Sequence, residues 1–286
     1  MITESLKAPD KLTLQQIADR HDIFLVDQFG VLHDGHTAYP GAIEALEALK
    51  VAGATIVLLS NSGRRSQPNE ARLVRLGFRP GSWDLFLSSG EVAWRMLTGQ
   101  DGPALVRPGA RLLLLSRESD RSAVDDLDVS LTNRGEAADV ILLAGSEADV
   151  HPLEWYRELL APAAERRVPL ICSNPDRTML TPLGPRFGAG RIAELYEELG
   201  GTVTWIGKPH PEIYVAALAA LGDPDPDRVV GIGDSVEHDV AGAKGVGLSV
   251  ALVRSGIHAE LSDTELAAEF EVRGAWPDYV LPAFRW

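Results

Sequence analysis

The sequence predicts an α/β protein built on a doubly wound parallel sheet and interrupted by a smaller α/β insert. Three observations carry this. Apolar runs of strand length alternate with stretches of helical period along most of the chain, the pattern of strand–helix–strand crossovers. Four of those runs stop abruptly at a polar group, Asp27, Ser60, Lys208 and Asp234, as strands do where a parallel sheet presents its carboxyl edge. A glycine- and proline-rich stretch from Thr98 to Pro108 breaks the rhythm, and 286 residues are more than one core usually holds.

In chain order, Leu12, Leu14, Ile17 and Ala18 lie at helical spacing and predict a short leading helix. Ile23 to Val26 is the first strand, ending at Asp27, with Gln28-Phe29-Gly30 opening a polar loop. Pro40-Gly41 starts a helix with Ile43, Leu46 and Leu49 on one face, closed by Gly53. Ala54 to Leu59 is a second strand, followed by Ser60-Asn61-Ser62-Gly63 and a helix through Leu73, Val74 and Leu76. Leu85 to Leu87 is a third strand, and Ser88-Ser89-Gly90-Glu91 begins a helix through Val92, Met96 and Leu97.

Beyond the break, strands at Leu112 to Leu115, Val140 to Leu143 and Val168 to Cys172, with a helix from Pro152 to Arg166, form the insert. Thr181-Pro182-Leu183-Gly184-Pro185 is rich in breakers and marks the return. The core rhythm then resumes: a helix from Arg191 to Leu199, a strand from Val203 to Ile206 ending at Gly207-Lys208-Pro209, a helix from Pro211 to Leu221, and strands Arg228 to Ile232 and Leu248 to Val253. The acidic stretch Glu260 to Glu271 reads as a solvated helix. Residues 1–98 and 181–286 are thus assigned to the core and 99–180 to the insert.

A formal charge of −14 leaves no basic excess to neutralise a polyphosphate backbone or an anionic membrane, so nucleic acid and membrane surfaces are not expected partners. No run of about 18 apolar residues exists to span a bilayer. Met1 to Asp22 has neither a signal-peptide core nor a transit-peptide composition, and the single cysteine, Cys172, allows no intrachain disulfide; a cytoplasmic location is expected.

The four strand ends suit phosphate chemistry. Asp27 is a carboxylate nucleophile able to attack phosphorus in line and form an aspartyl phosphate that water later releases. Ser60 offers a hydroxyl, and Asn61 and Ser62 offer amides at a helix start, to phosphoryl oxygens. Lys208 supplies positive charge to nucleophile and transferring group. Asp234 and Asp239, hard oxygen ligands around a turn, suit Mg²⁺, which would screen Asp27 from the dianion it attacks.

These motifs resemble those of the haloacid dehalogenase-like hydrolase superfamily, class IIA, the group containing nucleotide and p-nitrophenyl phosphatases. Asp27 to Gly30 is similar to its first motif, Leu58 to Ser62 to its second, Gly207-Lys208-Pro209 to its third, and Gly233-Asp234 to Asp239 to its fourth. Asn174-Pro175-Asp176 is similar to a segment near the return from the class's cap, where Asn174 and Asp176 either line the cleft or shape the hinge. The resemblance covers nearly the whole chain. It implies a Rossmann-like core, an α/β cap inserted between the second and third motifs, Mg²⁺-dependent hydrolysis of a small phosphorylated metabolite such as a sugar phosphate or nucleotide monophosphate, and a homodimer formed through the cap.

One position departs from the family pattern. A second aspartate, two residues after the nucleophile, usually protonates the leaving oxygen and then activates water; here it is Phe29. The resemblance implies that this position binds the metal through its backbone carbonyl, which Phe29 retains. General acid–base help contributes about a hundredfold to ten-thousandfold, so its loss has to be met somehow. His33, Asp34 and His36 lie on the adjoining loop, and His33 is the chosen replacement because an unperturbed imidazole titrates near neutrality. Otherwise the leaving group needs little protonation, as in an acyl phosphate, or the protein binds a phosphometabolite with weak or vestigial catalysis. Arg64 and Arg65 are placed either toward substrate or on the surface, and Trp155 and Tyr156 in the core of the insert.

Overall fold

The computed structural model describes residues 9–181, 184–256 and 258–286. Its strands are β1 (Asp10–Lys11), β2 (Ile23–Val26), β3 (Thr55–Ser60), β4 (Leu85–Ser88), β5 (Ala110–Leu115), β6 (Val129–Thr132), β7 (Val140–Leu143), β8 (Pro169–Cys172), β9 (Thr178–Thr181), β10 (Gly184–Phe187), β11 (Thr202–Trp205), β12 (Val229–Gly233), β13 (Ser249–Val253) and β14 (Tyr279–Leu281). Its helices are α1 (Leu14–Ala18), α2 (Ala42–Val51), α3 (Ser66–Arg75), α4 (Ser89–Thr98), α5 (Leu153–Glu165), α6 (Ala189–Glu198), α7 (Pro211–Ala220), α8 (Ala241–Gly245) and α9 (Asp263–Arg273). The chain divides into two units: the stretch up to Leu59, Arg72–Phe86 and Ala217–Trp286 form one, and Ser60–Ala71 with Leu87–Ala216 the other.

The larger sheet runs in the order β1-β14-β13-β12-β2-β3-β4. The pairings of β2 with β3 and β12, and of β13 with β12 and β14, are all parallel. Every residue of β2 and β12 is buried, the continuous apolar signature of central strands covered on both faces. From β2 the chain builds outward through β3 and β4 on one side; after its long excursion it returns at β12 and builds through β13 and β14 on the other. The switch point therefore lies between β2 and β12, where Val26 sits opposite Ile232. Crevices outside strand carboxyl ends at such a point are where open α/β sheets bind ligands.

Local chemistry fixes the surrounding helices. A capping box between Thr13 and Gln16 starts α1, whose Leu14 and Ile17 are fully buried. Leu46 and Leu49 of α2 pack with Phe24, Ile56, Leu58 and Phe86 in one apolar cluster. The acidic stretch becomes α9, opened by a capping box between Ser262 and Glu265 and closed by left-handed Gly274.

The second unit holds a five-stranded sheet, β11-β8-β7-β5-β6, with every pairing parallel, and an antiparallel hairpin of β9 and β10. Its core gathers Leu113, Ile141, Leu143, Leu170 and Cys172 against Tyr156, Leu160, Ile192 and Tyr196. The strand before Lys208 corrects the sequence reading: β11 does not return to the larger sheet but pairs with β8, Val203 opposite Leu170, and α6 packs in the same cluster. A parallel edge strand preceded by an amphipathic helix looks alike in either sheet, so periodicity could not tell them apart. Of the breaker-rich return, Pro182 and Leu183 lie outside the described residues.

Candidate active site

Asp27 follows β2 and Asp234 follows β12, so the two carboxylates emerge from adjacent strands at the switch point. The Asp27 amide donates to the Ile232 carbonyl at 2.8 Å and continues the ladder one step past the strand. Asp239 arrives from Val236–Val240, a π-helical turn in which the Val240 amide reaches back to the Ser235 carbonyl. Such turns recur at functional sites because the extra residue re-aims a side chain. The result is that one oxygen each of Asp27, Asp234 and Asp239 lies within 4.8 Å of the others.

The backbone makes room for this cluster. At Gly30, with φ +80°, an added Cβ would stand 1.9 Å from Asp234 Oδ2, and at Gly256 it would stand 1.8 Å from the same oxygen. At Gly233 it would meet Asp239 Cγ at 1.9 Å. Ser255 ties the Gly30 carbonyl with its hydroxyl at 2.9 Å, and the Ser235 amide donates to Asp239 Oδ2 at 3.1 Å. Asp234 and Asp239 are buried. Like charges held so close repel, and a hard divalent cation with an all-oxygen ligand set is the partner that such a cradle fits.

The loop after Asp27 corrects the expectation for His33. Its side chain is fully buried, its Nδ1 accepts the Gly35 amide at 3.0 Å, and its Nε2 is buried without a partner among the described residues. Burial first, then the charge of Arg72, bring its pKa down to about 4, so it is neutral at pH 7 and not a ready proton donor. Asp34 is a turn former: its Oδ1 accepts the amides of His36 and Thr37 at 2.8 and 2.7 Å, bonds that hold the carboxyl below its ordinary value. Phe29 is 47% exposed, with the His33 ring edge-on at 4.6 Å between centroids and the Arg72 guanidinium 5.8 Å from its own.

In the second unit, Ser60 ends β3 and is 5% exposed. Its hydroxyl accepts the Ser62 amide at 3.2 Å, and Ser62 Oγ accepts the Arg64 amide, so this short turn is self-bonded. Asn61 is a clamp: Oδ1 accepts the Lys208 amide at 2.7 Å, while Nδ2 donates to the Lys208 carbonyl at 2.9 Å and to Asp176 Oδ1 at 2.8 Å. Lys208 is 3% exposed. Asn174 Oδ1 accepts the Asp176 amide, and Asp176 Oδ1 accepts from Asn61 Nδ2.

The structure thus brings Asp27, Asp234 and Asp239 together as expected, and joins Asn61 to Lys208 across 147 positions of sequence. The Asn61 side chain is engaged with Lys208 and Asp176, and Asn174 Oδ1 accepts the Asp176 amide. Arg64 pairs with Glu118 and Asp120, and Arg65 with Glu91 while lying over Trp94, so both are structural. Tyr156 is in the core, but Trp155 is 37% exposed and stacks on His151. Sequence reading missed Ser255 and Gly256; their signal was the end of another strand, β13, on the same edge.

A haloacid dehalogenase-like hydrolase family profile matches residues 24–130, and a HAD-hydrolase-like profile matches residues 205–285. The chain is 32% identical to a haloacid dehalogenase-like family hydrolase of Brucella suis, with a TM-score of 0.79 over 96% of this chain and 99% of that one. It is 25% identical to a p-nitrophenyl phosphatase of Archaeoglobus fulgidus, with a TM-score of 0.73 over 96% and 97%. A glycerol phosphate phosphatase of Mycobacterium tuberculosis, solved with magnesium, is 25% identical with a TM-score of 0.73 over 94% of this chain and 76% of that one. With its Rossmann-like parallel sheet, its second α/β unit and its four motifs, this chain belongs to the haloacid dehalogenase-like hydrolases, class IIA.

Proposed function

We propose that the protein is a Mg²⁺-dependent phosphoric monoester hydrolase acting on a small phosphorylated metabolite. The observation that carries this reading is the convergence of Asp27, Asp234 and Asp239 within 4.8 Å at the switch point of a parallel sheet. Asp27 is the nucleophile, Asp234 and Asp239 would hold the metal with the Phe29 carbonyl, and Ser60, the Asn61 amide and Lys208 bind the phosphoryl group. The ion supplies charge neutralisation of the phosphoryl oxygens when bound. Asn61 orients Lys208 by gripping both sides of its backbone. Relatives that are phosphatases by name, including one solved with magnesium, support the reading.

Asp27→Asn is expected to lower phosphate release by about a thousandfold or more, while circular dichroism stays that of the native chain. Turnover at the native rate in this variant would remove Asp27 from the reaction. Phe29 favours a second reading, a protein that binds Mg²⁺ and a phosphometabolite with vestigial turnover. Saturable binding without phosphate release from any ester would select it.

A further inference from the structure

An ester oxygen that leaves phosphorus must take up a proton or carry its own negative charge away. The loop that follows Asp27 is poorly equipped to give a proton. His33 is sealed in the core with Nδ1 already accepting the Gly35 amide. Asp34 is spent on the amides of His36 and Thr37 and on the Thr37 hydroxyl, and His36 is exposed on that same turn. Asp234 and Asp239 belong to the carboxylate cluster. The side chain two residues beyond Asp27 is Phe29, which has no proton to transfer.

Phe29 offers something else. Its ring is 47% exposed yet held on three sides: the His33 edge at 4.6 Å, the Arg72 guanidinium at 5.8 Å, and Gly35, where an added Cβ would stand 3.0 Å from Cε1. A half-exposed aromatic held two residues after the nucleophile is a surface on which a second planar group stacks.

We propose that Phe29 is a specificity-determining residue, confining efficient hydrolysis to phosphoryl groups on acidic oxygens of planar leaving groups, aryl phosphates foremost. This rests on the phosphatase reading and names its substrate class. As an Asp27 oxygen bonds to phosphorus, the ester P–O bond breaks and its electron pair departs on the leaving oxygen. A phenoxide, with a conjugate acid near pKa 10, carries that pair unaided. An alkoxide is about as basic as hydroxide, with a conjugate acid near 15.7 like bulk water, and leaves slowly without a donor. Water then displaces Asp27 from phosphorus, its second proton passing to a phosphate oxygen, and the carboxylate is restored. That second step is common to all substrates and also lacks a base, so the aspartyl phosphate accumulates behind a fast aryl departure.

The test is a leaving-group series with Mg²⁺, from nitrophenyl and phenyl phosphates to acetyl phosphate and glycerol phosphate, on the native chain, Phe29→Asp, Phe29→Leu and Asp27→Asn. For the native chain, kcat/KM is expected to fall along the aryl series and to be about 10²–10⁴ lower for the alkyl ester. A burst of phenol should precede steady turnover, with phosphate trapped on Asp27. Phe29→Asp should narrow the aryl-to-alkyl gap by about a hundredfold, the low end of an acid's contribution. Phe29→Leu should lower the aryl-to-acetyl-phosphate ratio several-fold and narrow the aryl-to-alkyl gap only by that same factor. Native turnover of glycerol phosphate within about tenfold of phenyl phosphate, below the least an acid contributes, would overturn the proposal. So would an unchanged gap in Phe29→Asp or an unchanged ratio in Phe29→Leu. Failure of the phosphatase reading looks different and overturns both: no ester releases phosphate, or Asp27→Asn matches the native chain.

Discussion

The imidazole of His33 is fully buried, and burial with the nearby Arg72 charge holds its pKa at about 4, below the 6.5 of an exposed histidine. The unfolded chain therefore takes up a proton as the pH falls through 6.5, while the folded chain refuses it until about 4. The stability this group contributes is complete above pH 6.5 and is lost as the pH falls toward 4, a change on the order of 3 kcal/mol. Urea unfolding from pH 7 to pH 4 should show this slope in the native chain and lose one proton's worth in His33→Leu. Parallel curves for the two proteins would refute the assignment. The residue's work is local: it accepts the Gly35 amide and holds the Phe29 ring edge-on.

Among the elements, the turn that leaves β3 and the turn that leaves β11 matter as a pair. Asn61 accepts the Lys208 amide and donates to its carbonyl, and Asp176 takes the remaining Asn61 proton. Lys208 is buried, so Asn61→Ala strands a buried amide and is expected to cost about 1–3 kcal/mol. Because the clamp sets where Lys208 sits, kcat should fall along with the melting temperature. Asn61→Asp sets a second carboxylate against Asp176 and the Lys208 carbonyl, so it should be at least as destabilising as alanine. A drop in stability with kcat unchanged would limit the clamp to a structural role. The π-helical turn of Val236–Val240 acts in the same spirit on Asp239, which a regular helix would aim elsewhere.

At the scale of the molecule, a chain of formal charge −14 gathers Asp27, Asp234 and Asp239 at one point, two of them buried. Their mutual repulsion opposes folding until a cation is bound, so stability and metal occupancy are linked. Mg²⁺ at about a hundred times its Kd should add about 2.7 kcal/mol, visible as a rise of several degrees in melting temperature that EDTA reverses. Asp239→Asn should melt higher than the native chain in EDTA and respond less to Mg²⁺. An identical Mg²⁺ response in the variant would exclude Asp239 from the metal site. Across the described residues, no helix is long and apolar enough to cross a membrane.

The sequence by itself determined the class of fold, the strand ends that carry Asp27, Ser60 and Asp234, and the departure at Phe29, because these depend on local period and residue chemistry. Buried central strands such as Ile23–Val26 and Val140–Leu143 are continuous apolar runs and read to the residue. Short strands at or next to a sheet's edge were invisible: β1, β6 and β14 are brief or half-polar, and what makes them strands is a neighbour outside their own stretch of sequence, as Asp10 has in Tyr279. Only the tertiary structure decided that β11 joins the second sheet, that Asn61 serves Lys208 and that His33 is sealed from solvent. Each of those is a contact between residues far apart in the chain or a degree of burial. Neither leaves a local pattern, since both depend on which surfaces the folded chain brings together.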